Sequence, residues 1–131
     1  RFNKNKSRYI VEARRLFSDS NGNVRLKERL GEKDVFALRE WLIENVKGIG
    51  YKEASHFLRN IGKGDDIAIL DRHILKNLVK YKVIDEVPKS LTGKKYLDIE
   101  DKMRAFAQQT GIPFAHLDLL WWSEETGEIF K

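Results

Sequence analysis

Two glycines enclose a single apolar residue in Val46-Lys47-Gly48-Ile49-Gly50-Tyr51-Lys52, and no other stretch limits the fold as much. Before this turn, Val35, Leu38, Leu42 and Val46 recur at helical spacing; after it, Ala54, Phe57, Leu58 and Ile61 do the same. The pattern predicts a helix over 35–46, a tight turn, and a second helix from about 52 to 60. Glycine tolerates positive φ, so Gly48 and Gly50 can both take it. They would present backbone N–H groups at the start of the second helix, where the dipole favours an anion. A glycine turn of this kind is usually a plain helix connection. Here Lys52 follows Gly50 by two residues, and Asp71 opens a further helix in Ile69-Leu70-Asp71-Arg72-His73.

The rest of the chain also reads as helical. Residues 5–17 carry Tyr9, Ile10, Ala13, Leu16 and Phe17 on one face, and Ser18–Asn23 end that helix in a loop. A short helix at 24–30 closes at Gly31, and Asp34 is placed to cap the helix 35–46. Gly62-Lys63-Gly64-Asp65-Asp66 breaks the second hairpin helix. Ile67-Ala68-Ile69-Leu70 is too short to decide between strand and linker by period, and a buried extended linker is the preferred reading. Asp71 then caps a helix with Ile74, Leu75, Leu78 and Val79 inward. Pro88 and Gly93 punctuate the next connection. Residues 94–109 repeat Tyr96, Ile99, Met103 and Phe106, and Gly111 and Pro113 precede a last helix over about 114–125. The expectation is one all-α domain, 1–131, with a helix-turn-helix at about 35–61.

Composition narrows the function classes. With 131 residues, 41% hydrophobic and 34% charged, the chain fits a soluble globular domain, and it has no apolar run of ~18 residues to cross a bilayer. The absence of cysteine excludes disulfides and a cysteine-ligated iron–sulfur cluster. His56, His73 and His116 lack the local spacing of a zinc site. Net charge is +5, and all of it arises within residues 1–17, where six basic residues face Glu12 alone. A basic helix is normally a solvated face; beside a glycine turn it reads as a strip for phosphates.

The G-[IV]-G-x-K turn with an aspartate after an apolar run resembles the helix-hairpin-helix DNA glycosylases that also cut abasic sites. Lys47–Gly62 and Ala68–Leu75 are most similar to the short, archaeal-type 8-oxoguanine DNA glycosylase/lyases, and with gaps the resemblance runs from Arg1-Phe2 to Lys131. Chains of that family are longer at the N-terminus. The resemblance therefore implies a glycosylase fold lacking its N-terminal helices. It also implies a prokaryotic-type intracellular enzyme, cytoplasmic and associated with the nucleoid. Its partner would be double-stranded DNA carrying 8-oxoguanine or abasic sites, with no membrane and no obligate protein partner. No organic cofactor is implied. Helix-hairpin-helix turns often hold Na⁺ or K⁺ on backbone carbonyls, which here would be those of Glu44, Val46 and Ile49.

A glycosylase/lyase needs an amine nucleophile and a carboxylate. Free lysine has a pKa near 10.4, so only ~0.04% is neutral at pH 7, and the site must favour the neutral form. Lys52 sits in the first turn of a helix, where the dipole disfavours an ammonium, and a DNA-covered pocket would desolvate it. On spacing alone it reads equally well as a lysine answering phosphates; the resemblance implies the nucleophile. Asp71 reads as an N-cap on its own. A carboxylate there also suits positive charge developing on the sugar as the base leaves, and in the resembled family it is the essential acid. His73 alone is an ordinary capping or surface histidine; the resemblance makes it a phosphate contact, together with Gly48 and Gly50.

A base taken out of the stack needs aromatic rings to receive it. Trp121 and Trp122 point about 100° apart on a helix, so one can serve the core and the other a pocket. The resemblance assigns base stacking to Trp122 and, on the opposite face, to Phe2. The N7 of 8-oxoguanine carries a hydrogen where guanine has a lone pair, so a reader of that position needs an acceptor such as a carboxylate. The resembled family ends in a lysine whose terminal carboxyl region reaches the base, which here is Lys131, anchored by Ile129 and Phe130. Two rivals stay open: a non-catalytic helix-hairpin-helix module that only grips DNA, and a lyase for another oxidised base.

Overall fold

Asp34 begins the hairpin as its place in the sequence demands. Its carboxylate accepts hydrogen bonds from the N–H groups of Phe36 and Ala37 at 3.1 and 3.0 Å, satisfying two donors that a helix start otherwise leaves unpaired. The computed structural model describes residues 3–31 and 34–127 and is helical throughout. Its elements are α1 (Asn3–Phe17), α2 (Leu26–Leu30), α3 (Val35–Asn45), α4 (Tyr51–Asn60), α5 (Arg72–Lys80), α6 (Gly93–Thr110) and α7 (Phe114–Thr126). Among the described residues no strand forms, apart from an isolated bridge between Ser18 and Val24. That bridge and Arg25 occupy the residues expected to start the short helix, which begins at Leu26.

Two hydrophobic clusters divide the helices. The first joins Phe17, Leu30, Leu38, Leu42, Val46, Ala54, Leu58 and Ile67, so it closes α1, α2 and the hairpin pair α3–α4 on one another. The second joins Ala68 and Leu70 to Ile74, Leu75 and Leu78 of α5, to Tyr96, Ile99 and Met103 of α6, and to Leu117 and Trp121 of α7. Leu38, Leu42 and Leu58 are essentially inaccessible, and each such leucine contributes roughly 1.5–3 kcal/mol. Ile10, expected inward, is instead 68% exposed. The face of α1 that packs is the Tyr9–Ala13–Leu16 row, and Ile10 lies a third of a turn away from Tyr9.

The seam between the clusters is the Ile67–Leu70 run. It is wholly buried and neither helix nor strand, with Ile67 in one cluster and Ala68 in the other. Two buried ion pairs cross it. Arg39 of α3 and Glu100 of α6 pair at 1% and 2% side-chain exposure. Arg59 of α4 binds both carboxylate oxygens of Asp118 on α7 and also donates to the Ile67 carbonyl at 2.8 Å. Gly64 permits the chain to fold back here, since a Cβ on it would sit 2.5 Å from Arg59 Cα.

Candidate active site

The hairpin turn is built against α1. Gly48 has φ +85°, and a Cβ there would meet Tyr9 Cδ2 at 2.6 Å, so the position needs glycine both for its backbone and for the ring beside it. Lys47 pairs with Glu12 at 3.4 Å, and Arg8 approaches the same carboxylate at 3.7 Å. The lone acidic residue of the basic segment is thereby used to join α1 to the turn, while Arg14 and Arg15 remain exposed. Gly50 does not use its freedom to take positive φ. Its φ is −104°, an extended conformation open to any residue, and its N–H donates to Glu53 Oε2 at 3.2 Å. The turn needs one residue of positive φ to reverse, and Gly48 supplies it.

Lys52 is the second residue of α4. Its side chain is half exposed, with Nζ 3.5 Å from Glu53 Oε1, so burial within the protein does not desolvate the amine. Asp71 caps α5: its Oδ1 accepts from the N–H groups of His73 and Ile74, both at 2.9 Å. The His73 carbonyl in turn accepts from Asn77 Nδ2 at 3.0 Å, one turn along. Asp71 and His73 are both half-buried.

The two tryptophans divide as their helical angle requires. Trp121 is 2% exposed and stacks on Tyr81 with centroids 5.5 Å apart and planes 13° apart, with Phe106 at 5.8 Å. Trp122 is half-buried on the same helix, which packs against α5 and α6. Phe2 and Lys131, with Ile129 and Phe130, lie outside the described residues. Among the described residues no group of three His, Cys, Asp or Glu side chains is placed to hold a metal ion, and no helix is long and apolar enough to cross a membrane.

Sequence reasoning missed the groups that join Lys52's helix to Asp71's. Tyr51, immediately before Lys52, lies against Tyr96 with ring centroids 5.3 Å apart. The Tyr51 hydroxyl donates to Glu40 Oε2 at 2.8 Å, and burial and that carboxylate together raise its pKa. The Tyr96 hydroxyl donates to the Ala68 carbonyl at 2.8 Å and accepts from the Leu70 N–H at 3.2 Å, immediately before Asp71. Burial pushes the Tyr96 phenol up to about 12. Glu100 accepts two guanidinium bonds from Arg39, at 2.7 and 2.8 Å, and one from the Ala68 N–H at 2.7 Å. Burial alone would lower the Arg39 pKa; the hydrogen bonds and charge of Glu100 outweigh it and raise it. A signal for these residues was present. Arg39 stands within the Leu38–Leu42 stripe and Glu100 within the Tyr96–Ile99–Met103 stripe, so two opposite charges occupy faces otherwise given to the core.

A glycine turn feeding a helix that carries a lysine in its first turn, joined through a buried seam to an aspartate-capped helix, defines a helix-hairpin-helix arrangement. Solved structures are similar to this fold over all or nearly all of the chain. The crystal structure of the Methanocaldococcus jannaschii 8-oxoguanine glycosylase/lyase in complex with a 15mer DNA containing 8-oxoguanine superposes with a TM-score of 0.83 at 44% identity, covering 100% of this chain and 60% of that one. The 8-oxoguanine DNA glycosylase of Thermotoga maritima gives 0.79 at 39% identity, over 96% and 57%. In sequence, an 8-oxoguanine DNA glycosylase/AP lyase of Fusobacterium nucleatum is 53% identical over all of this chain and 60% of its own length. The family model described as 8-oxoguanine DNA glycosylase matches residues 1–112, and the chain belongs to that family. It spans about 60% of the length of the curated relatives it matches.

Proposed function

We propose that this chain acts in base excision repair, as the lysine- and aspartate-bearing part of a bifunctional N-glycosylase/AP lyase that removes 8-oxoguanine from DNA. The observation that carries the reading is the placement of Lys52 in the first turn of α4 and Asp71 at the cap of α5, in a chain 53% identical to a relative named for both activities. Lys52 Nζ, once neutral, attacks C1′ of the damaged nucleoside. The bond from C1′ to the base breaks, and the base leaves with its electron pair and takes up a proton. The Asp71 carboxylate stabilises the positive charge that develops on the sugar. The C1′–O4′ bond then opens, O4′ takes the remaining proton of the amine, and the nitrogen is left doubly bonded to C1′ as a Schiff base; loss of a C2′ proton expels the 3′ phosphate and cuts the strand. Gly48, the exposed basic side chains of α1 and the start of α4 hold phosphates of the duplex, and Trp122 stacks on the extruded base. No organic cofactor enters these steps. The backbone carbonyls of Glu44, Val46 and Ile49 are the ligands offered to a monovalent cation at the turn; Val46 accepts from the Ile49 N–H at 3.3 Å and a carbonyl has two lone pairs. An enzyme of this kind works on the chromosome, in the nucleoid of a prokaryotic-type cell.

Borohydride trapping on duplex DNA containing 8-oxoguanine, run with the intact protein, tests the reading. Lys52→Gln is expected to bind the duplex and form no trapped adduct. Asp71→Asn is expected to keep the helix cap, since asparagine caps about as well as aspartate, and to lose most excision. Trapping by Lys52→Gln at the wild-type rate would remove Lys52 as the nucleophile, and a non-catalytic hairpin would follow if the wild-type protein trapped no DNA.

A further inference from the structure

We propose that Tyr96 is a positioning residue that sets the separation of Lys52 and Asp71; the inference rests on the roles proposed above for those two residues. Its side chain touches the residue before each of them. The ring packs on Tyr51, which precedes Lys52. The hydroxyl bridges the Ala68 carbonyl and the Leu70 N–H, and Leu70 precedes Asp71. The fit is close on the hairpin side as well: a Cβ on Gly93, at the start of α6, would lie 2.7 Å from Tyr51 Cε2.

The need for such a residue follows from the backbone of the seam. Residues 67–70 are buried and belong to no helix, and no neighbouring strand pairs with them among the described residues. Buried N–H and C=O groups must find partners. Ala68 N–H finds Glu100, Ala68 C=O and Leu70 N–H find Tyr96, and Ile67 C=O finds Arg59. Tyr96 and Glu100 are one turn apart on α6, so the helix acts as a strut that fixes where the seam ends and Asp71 begins. Arg39 ties the same strut to the hairpin. It is held by Glu100, donates to Ser55 Oγ on α4 at 3.2 Å, and lies 5.4 and 5.8 Å from the rings of Tyr51 and Tyr96. The hydroxyl of Tyr96 is 2% exposed with its residue and does not meet solvent or substrate, so it acts through Asp71 and Lys52 and not on the DNA.

The test uses Tyr96→Phe in the intact protein, which keeps the ring and removes the hydroxyl. Single-turnover excision of 8-oxoguanine is expected to fall about tenfold or more, because small misplacements of reacting groups carry large rate losses. Duplex affinity should be unchanged, at a temperature where circular dichroism shows both proteins folded. The decisive readout is the double-mutant cycle with Asp71→Asn. A residue that acts through Asp71 costs little once Asp71 is disabled, whereas one with a merely structural role costs the same on either background. Additive losses, or wild-type excision by Tyr96→Phe, would overturn the proposal. If Tyr96→Phe does not fold, Tyr51→Leu carries the test, since it removes the half-buried ring that couples Tyr96 to the hairpin. The same non-additive loss is expected of it, and a wild-type rate overturns the proposal equally. Lys52→Gln run in parallel separates the two levels. If it still traps DNA, the assigned chemistry fails and the positioning role falls with it. If it is inert while Tyr96→Phe excises normally, only the positioning role fails.

Discussion

Glu100→Ala is expected to be among the most damaging single substitutions in this chain, and the structure sets the scale. Arg39 and Glu100 are 1% and 2% exposed, so removing the carboxylate leaves a buried guanidinium whose remaining side-chain partner is Ser55, with Nε already unbonded. Breaking a buried pair from one side costs roughly 3–5 kcal/mol. The Ala68 N–H loses its acceptor at the same time, which adds about 1–3 kcal/mol. The combined loss, on the order of 4–8 kcal/mol, compares with a total stability of roughly 5–15 kcal/mol for a typical domain. Each kcal/mol moves Tm by about 3–5 °C at this size, so Tm should drop by more than ~10 °C. Two companions separate the causes. Glu100→Gln keeps an acceptor for Ala68 and loses only the charge, so it should cost less. The pair Arg39→Met with Glu100→Leu removes both charges, which is often nearly neutral, and should leave only the cost of the unpaired Ala68 N–H. Urea unfolding followed by circular dichroism gives the ranking as shifts of the midpoint at constant slope. If the double variant were as unstable as Glu100→Ala, the uncompensated charge would not be the cause, and the reasoning would fail.

Three further outcomes follow from single positions. Gly48→Ala forces a side chain into positive φ, at about 1–2 kcal/mol, and pushes on Tyr9; it should lower Tm and weaken binding to lesion and plain duplex alike in fluorescence anisotropy. Gly50→Ala, extended and facing only the flexible Glu53 carboxylate, should stay within about 1 kcal/mol of wild type. Tyr96 predicts an alkaline limb: its folded pKa of about 12 stands above the ordinary 10, so the native state keeps a proton the unfolded chain releases. Its contribution is complete below pH 10 and is lost as pH rises toward 12, by on the order of 3 kcal/mol. Urea midpoints of wild type and Tyr96→Phe should therefore converge over that interval, and parallel curves would contradict the buried phenol.

What could be read in advance was local. The hairpin, the caps at Asp34 and Asp71, and the break at Gly62–Asp66 depend on residues within a few positions of one another, and all appear where their spacing places them. The split between Trp121 and Trp122 was legible for the same reason, because adjacent helical residues cannot both face one core. Two points of local conformation were not legible. Glycine at position 50 permits positive φ without requiring it, and nothing in Gly48-Ile49-Gly50 says which glycine makes the reversal. Ile10 adjoins an apolar row, but α1 rests on Gly48 through Tyr9, and that contact rotates Ile10 outward.

The seam is a different matter, since its partners lie 61 and 59 residues apart in sequence. An arginine on one apolar stripe and a glutamate on another announce that each stripe contains a buried charge, but not that the two meet. Their meeting depends on the Ile67–Leu70 run being buried, outside any helix and without a neighbouring strand among the described residues, so that its polar groups demand side-chain partners. That demand is what gives a hydrophobic core its charged crossing. A wholly apolar junction could hold the two clusters together, but it could not satisfy Ala68 and Leu70, and nothing in it would favour one register of α5 over another. With Glu100 and Tyr96 bonded to the segment just before Asp71, a slide of α5 along the seam would break three buried hydrogen bonds at once. The position of the candidate carboxylate relative to the hairpin is thus tied to the stability of the fold.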